Sequence, residues 1–240
     1  MLRVHSYESM GTVDGPGLRF VIFVQGCNFR CLYCANVDTI EIGVGEEISE
    51  DKIFEMVSDM KPFFGKRGGV TLSGGEPSLQ AKALIPLFER FKKAGIHTCL
   101  DTNGAVWNKD VEALLQLTDL VLLDVKQIDN LKHKSLTGHS NERTLKTAQW
   151  LEENNKPFWL RYVLVPGYSD SEDDVRGLGE ALGGNKMLER VEILPYHRLG
   201  THKYEEMGLD YQLKEVELCS DEVLSCTEKI FGEYFADVVI

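Results

Sequence analysis

Residues 18–34 read LRFVIFVQGCNFRCLYC. Leu18 to Val24 is apolar on both faces, the pattern of a parallel strand covered on both sides. Gly26 follows as a turn residue, and Cys27, Cys31 and Cys34 come next at C-x3-C-x2-C spacing. Reactive residues directly after a buried strand suit a βα fold with its site at the C-terminal strand ends. The rest of the chain repeats this arrangement. Gly69–Leu72, Ile96–Leu100, Leu120–Val125, Phe158–Val165 and Val191–Leu194 read as five further strands.

Helical period appears between them. Ile53, Met56, Val57, Met60 and Phe64 share one face, and Leu84, Leu87, Phe88 and Phe91 another. Val111, Leu114 and Leu115 begin a third helix. Val175, Leu178 and Leu182 mark a fourth, and a last runs near Asp221 to Tyr234 with Val223, Thr227, Ile230 and Phe231 inward. Ser49 and the region of Asp221 supply N-caps. Polar or glycine-rich residues stand just after each strand: Ser73-Gly74-Gly75-Glu76, Asp101-Thr102-Asn103-Gly104, Asp124 with Lys126, Pro166-Gly167 and Tyr196-His197. Six strand ends serving one mouth fit a curled sheet better than a flat one with a single switch point. The expected fold is therefore α/β, an incomplete (β/α)6 barrel, as a single domain over 1–240. Three long connections, Ala35 to Glu47, Gln127 to Arg143 and His197 to Glu217, are expected to be functional loops.

Composition removes several classes. Apolar residues are 43% and charged residues 27% of the 240, so disordered and coiled-coil readings fall away. No apolar run approaches the ~20 residues of a membrane span, and the first residues lack a secretory signal's apolar core. A cytoplasmic protein without membrane attachment is expected. The formal net charge of −12 is the wrong sign for a general nucleic-acid binder. From Thr201 to Ile240 there are three Lys and ten Asp or Glu, a net −7, read as a solvated face.

The six cysteines are too sparse for a disulfide scaffold, and three sit within eight positions. A structural zinc site wants four ligands, and no fourth Cys or His stands near in sequence. Thiolates hold iron–sulfur clusters, where three cysteines leave one iron open to a ligand. Cys99 lies in a strand and reads as packed core; Cys219 and Cys226 read as one helical face. Asp124 and Lys126 alternate at a strand end and so point the same way. Arg161 lies inside an apolar strand, where an unpaired charge is costly. It is expected to pair with a cofactor carboxylate or a carboxylate side chain.

The cysteine loop, with Tyr33 before its last cysteine, resembles the cluster loop of the radical S-adenosylmethionine enzymes. Gly74-Gly75-Glu76-Pro77 resembles that superfamily's methionine-binding motif. Residues 12–19, TVDGPGLR, are similar to the glycyl-radical-enzyme activases within it. Likeness continues through 97–104 (HTCLDTNG), 123–127 (LDVKQ), 161–167 (RYVLVPG) and 194–197 (LPYH), nearly the whole chain. The resemblance implies one 4Fe-4S cluster on Cys27, Cys31 and Cys34, with S-adenosylmethionine chelating the open iron. Reductive cleavage would yield a 5′-deoxyadenosyl radical that takes a hydrogen from a glycine Cα of a target enzyme. It assigns Tyr33, Cys34, Ala35, Gly74, Gly75, Glu76, Asp124, Val125, Lys126 and His197 to cofactor binding. It assigns Asp14, Lys126 and Arg161 to the reaction, Asp14 by seating the glycine-bearing peptide. Asp101, Thr102 and Asp124 would hold a monovalent cation.

Related activases often carry His where this chain has Ala35, so any contact made by that His is missing or supplied elsewhere. No C-x2-C pairs remain for the second clusters of larger activases, which implies the compact type. Its target would be pyruvate formate-lyase and its electron donor a low-potential protein such as flavodoxin, with the activase a monomer. Two other readings stand beside this one: a compact activase of a different glycyl radical enzyme, and a non-catalytic iron–sulfur or metal protein with a closed site.

Overall fold

The computed structural model describes all residues, 1–240. The strands are β1 (Leu2–Gly11), β2 (Arg19–Val24), β3 (Glu46–Ile48), β4 (Gly69–Gly74), β5 (His97–Thr102), β6 (Leu120–Asp124), β7 (Phe158–Leu164), β8 (Leu188–Pro195) and β9 (Val238–Val239). The helices are α1 (Glu50–Met60), α2 (Ala81–Lys93), α3 (Lys109–Leu117), α4 (Asn130–Thr137), α5 (Glu142–Glu153), α6 (Glu172–Leu182), α7 (Thr201–Glu206) and α8 (Asp221–Phe231). Two compact regions are defined by internal contact. The first is Met1–Asn28 with Thr39–Leu122, and the second is Phe29–Asp38 with Leu123–Ile240.

In the first region the strand order is β3-β1-β2-β4-β5. β2, β4 and β5 run parallel, with Val21 opposite Thr71 and Thr71 opposite Cys99. β1 is antiparallel to both β2 and β3. α1 starts at Ser49, whose hydroxyl accepts from the Lys52 N–H, and buries Ile53 and Val57. α2 buries Leu84, Leu87, Phe88 and Phe91, the stripe its period predicts. In the second region β7, β8 and β9 are parallel, with Arg161 of β7 opposite Glu192 of β8. α6 is capped by Ser171 and α8 by Ser220. The sheet is mostly parallel and does not close, since β3 and β9 stand at the two ends of the strand order. This is the α/β, open-barrel class expected.

Several elements escape the pattern reading. β1 exposes Glu8 and Ser9 and carries His5, Ser6 and Tyr7, so no apolar run marks it. The connection 127–143 is not an irregular loop. It contains α4, whose buried positions are His133, Leu136 and Thr137. α5 buries Thr144, Thr147, Ala148 and Leu151, a stripe with one large apolar residue. The stretch 197–217 contains α7. Cys219 lies before the Ser220 cap, so it does not share a helical face with Cys226. No helix is long and apolar enough to cross a membrane.

Candidate active site

In the first region the cysteine loop begins at a turn closed by backbone bonds. Gly26 donates to the Thr39 carbonyl at 2.7 Å, and Cys27 to that of Ile40 at 3.0 Å. Gly26 has φ +99°, a left-handed conformation that favours glycine. The end of β4 rests directly on this turn. Gly75 donates to the Val24 carbonyl at 2.9 Å and Glu76 to that of Gly26 at 2.7 Å. A Cβ at Gly75 would lie 2.2 Å from the Gly26 oxygen, so position 75 admits no side chain.

Glu76 is fully buried. Its Oε1 accepts from the Ser78 N–H (3.0 Å), the Ser78 hydroxyl (2.6 Å) and the Thr102 hydroxyl (2.7 Å). Its Oε2 accepts from the Asn103 N–H at 2.8 Å. Burial raises its pKa, and these four donors oppose the shift. The carboxylate therefore joins the ends of β4 and β5. Asn103 extends the link, donating from Nδ2 to the Asn28 Oδ1 at 2.9 Å, next to Cys27. Ser78, Asn103 and Asn28 are absent from the sequence-based site. Their only signal was position, one or two residues from a motif. Asp101 Oδ2 accepts from the Ser73 hydroxyl at 2.6 Å, while the Thr102 hydroxyl, already donating to Glu76, accepts from the Gly104 N–H.

Phe29 to Asp38, with Cys31 and Cys34, belongs to the second region. α4 and α7 hold it. Arg30 donates to the Thr137 carbonyl at 2.9 Å and Leu32 to that of Leu136 at 3.0 Å. The Phe29 ring stacks on His139 and meets His133 edge-on. The Tyr204 hydroxyl donates to the Cys34 carbonyl at 3.0 Å, and Lys203 pairs with Asp38 at 2.9 Å. Ala35 packs its backbone on Gly200, where a Cβ would come within 2.5 Å of the Ala35 oxygen.

Lys126 pairs with Asp124 at 2.8 Å, consistent with their shared direction. Burial lowers the Lys126 pKa, but Asp124, Tyr33 and Cys31 together hold it well above the ordinary value. Its ammonium stands 5.8 Å from the centre of the Tyr33 ring. Tyr33 is buried and its hydroxyl has no hydrogen-bond partner. Val125 is fully buried and donates to the Arg161 carbonyl. Arg161 pairs with Glu192 at 3.4 Å, a carboxylate side chain as its position required. Glu192 was missed, although a lone acid inside the apolar run Val191–Leu194 gives the same signal as Arg161. His197 is exposed, its Nδ1 accepting from the Leu199 N–H.

Cys27, Cys31 and Cys34 form no disulfide, and each is half-buried. Burial pushes the Cys34 thiol up, opposed by the Asn36 N–H and Lys126. The structure gathers no three His, Cys, Asp or Glu side chains into a ready ion site. The donor chemistry nevertheless fits an iron–sulfur cluster: three soft thiol ligands with no disulfide among them.

These features mark a class, and comparison with known proteins agrees. Residues 21–178 match the Radical SAM superfamily, and the chain belongs to that superfamily. It is an enzyme, with a 4Fe-4S cluster and S-adenosylmethionine as cofactors. The chain is 48% identical to the pyruvate formate-lyase-activating enzyme of Staphylococcus aureus (strain USA300), over 92% of this chain and 91% of that one. The crystal structure of a domain of pyruvate-formate lyase-activating enzyme from Bacteroides vulgatus superposes with a TM-score of 0.61. It is 26% identical and covers 72% of this chain and 98% of that one. Streptococcus suis SuiB bound to S-adenosylmethionine, 16% identical, shares the fold with a TM-score of 0.70 over 89% of this chain and 47% of its own.

Proposed function

We propose that the chain, acting as one domain in the cytoplasm, installs a glycyl radical on pyruvate formate-lyase. The observation that carries this reading is the direct bonding of two motifs. The Gly74-Gly75-Glu76 turn is fastened to the Gly26-Cys27 turn through the Gly26 carbonyl, so methionine-binding and cluster-binding segments form one backbone unit. An identity of 48% over 92% of this chain to an activating enzyme of that name supports the target.

When bound, the cluster on Cys27, Cys31 and Cys34 and its S-adenosylmethionine supply the 5′-deoxyadenosyl radical. The chain's own residues bind and orient. Gly74 and Gly75 let the backbone approach the cofactor's amino-acid end. Glu76 holds that backbone rigid from beneath through its four donors. Asp124 and Lys126 present an adjustable ion pair to the cofactor, and Tyr33, Cys34, Ala35, Val125 and His197 complete its surroundings. Arg161, oriented by Glu192, balances negative charge in the reaction. Asp101, Thr102 and Asp124 offer hard oxygen ligands for a monovalent cation. Asp14 seats the target's glycine-bearing segment. A low-potential protein such as flavodoxin serves as donor, and the activase works as a monomer.

The test is electron paramagnetic resonance of the reduced holoenzyme mixed with S-adenosylmethionine and pyruvate formate-lyase. A glycine-centred doublet is expected, with one cofactor consumed per radical. Asp14→Ala should weaken the doublet and leave the cluster's absorbance intact. Cofactor cleavage without a doublet on this target, but with one on another glycyl radical enzyme, would reassign the target.

A further inference from the structure

Arg19, the first residue of β2, is completely buried. Its acceptors carry no charge. Nε donates to the Thr71 hydroxyl at 2.5 Å, one terminal nitrogen to the Pro16 carbonyl at 3.0 Å, and the other to that of Val70 at 2.6 Å. Weaker bonds reach the carbonyls of Arg67 and His97 and the His97 ring. Asp14, Asp119 and Cys99 act on it only through space. Burying a guanidinium among neutral dipoles is a poor way to gain stability, because an apolar residue of similar volume does as well or better. What the planar fork supplies is direction.

That direction falls on one turn. The Thr71 hydroxyl, accepting from Arg19, donates in turn to the Asp14 carbonyl at 2.7 Å. Arg19 thus fixes the Pro16 carbonyl directly and the Asp14 carbonyl through one hydroxyl. Two glycines press the turn onto this support. Gly15 has φ +109°, and a Cβ there would lie 3.0 Å from Cys99 Sγ and 3.3 Å from Arg19 Cδ. A Cβ at Gly17 would lie 2.6 Å from the Gly68 nitrogen. The preceding residue, Val13, is 71% exposed, so the turn is fastened on one side and open on the other.

We propose that Arg19 and Thr71 are positioning residues that hold the Asp14–Gly17 turn in the shape that receives the target's glycine-bearing loop. This rests on the role given to Asp14 above. Neither residue touches cofactor or substrate; both act through the two turn carbonyls. Lysine at 19 keeps the charge but loses the fork. Valine at 71 keeps the shape but breaks the relay at its middle.

The experiment uses cluster-loaded Thr71→Val and Arg19→Lys enzymes, with three readouts. Hydrogen exchange of residues 12–18 should speed up in both, while the cluster's absorbance stays unchanged. KM for pyruvate formate-lyase should rise roughly tenfold, the scale of one buried bond lost. Cofactor cleavage without the target should stay within about twofold. Unchanged exchange in Thr71→Val overturns the proposal, and so does a parallel fall in target-free cleavage. If Arg19→Lys does not fold, Thr71→Val decides alone. Absence of any radical with the unaltered enzyme sinks the function proposed above, and the exchange readout then judges the hold on the turn by itself.

Discussion

The two regions hold their most buried ionised side chains in opposite ways. In the first, Arg19 and Glu76 are fully buried, and their hydrogen-bond partners are hydroxyls, carbonyls, a ring nitrogen and N–H groups. In the second, Lys126 pairs with Asp124, Arg161 with Glu192 and Lys132 with Asp174, and every pair keeps some exposure. A charge satisfied by fixed dipoles sets backbone shape and cannot exchange partners cheaply. An ion pair near solvent can trade one partner for a charged ligand at little cost. The first region uses its buried charges to hold turns, and the second sets its charges in pairs.

The largest expected effect ignores this division. Cys27 belongs to the first region and Cys31 and Cys34 to the second, yet Cys27→Ala, Cys31→Ala and Cys34→Ala should each abolish iron binding. Cys99→Ala, Cys219→Ala and Cys226→Ala should retain it. Iron and sulfide counts after anaerobic reconstitution check this. Loss of iron on changing any of the last three would break the three-ligand assignment.

A smaller effect sharpens the comparison. Glu76→Gln keeps the size but sets an amide N–H against one of the donors now facing the carboxylate. Stability should fall by about 3 kcal/mol, read as the midpoint of urea unfolding. A loss within experimental error would mean that the buried carboxylate does not organise the β4 and β5 ends.

The smallest effect is in the second region. Asp174 accepts from Lys132 and from Gln127 Nε2 at 2.9 Å. Burial would raise its pKa, but Lys132, Ser171 and Gln127 hold it below the ordinary value. Its stabilisation is therefore present above pH ~4 and fades as pH falls through the lowered folded-state value. Asp174→Asn should cost about 1 kcal/mol at neutral pH, screened because Lys132 is half exposed. The gap in Tm from the parent should narrow on acidification toward pH ~3. A gap that widens instead would reverse the sign argued here.

The sequence made legible what large apolar residues write. β2, β4, β5, β6, β7 and β8 and the stripes of α1, α2, α3, α6 and α8 follow from periods of two-sided burial or 3.6. α4 and α5 were hidden because His133, Thr137, Thr144, Thr147 and Ala148 dilute their inward faces, leaving Leu136 and Leu151 as single large apolar residues. β1 was hidden because Tyr7 to Met10 are exposed in succession, so no period-2 alternation survives there. In the site, the motifs point to the cysteines, Glu76 and the Asp124–Lys126 pair, whose pairing the structure shows. They did not reveal the partners, since Asn28, Asn103 and Glu192 matter through contacts that depend on folded geometry. At Glu76 the folded geometry adds what the motif leaves silent, four buried donors that tie the ends of β4 and β5.

The fastening of the cysteine segment also bears on biosynthesis. Residues 29–38 depend on the carbonyls of Leu136 and Thr137, about a hundred positions later, and on Tyr204, 170 positions beyond Cys34. A ribosome adding ~5–20 residues per second delivers these clamps seconds after the cysteines emerge. Until then Cys31 and Cys34 sit on an unfastened strand of nascent chain. Iron–sulfur assembly on this protein therefore belongs after translation of the C-terminal third, and a chain truncated before Tyr204 would present thiols without the scaffold that shapes them.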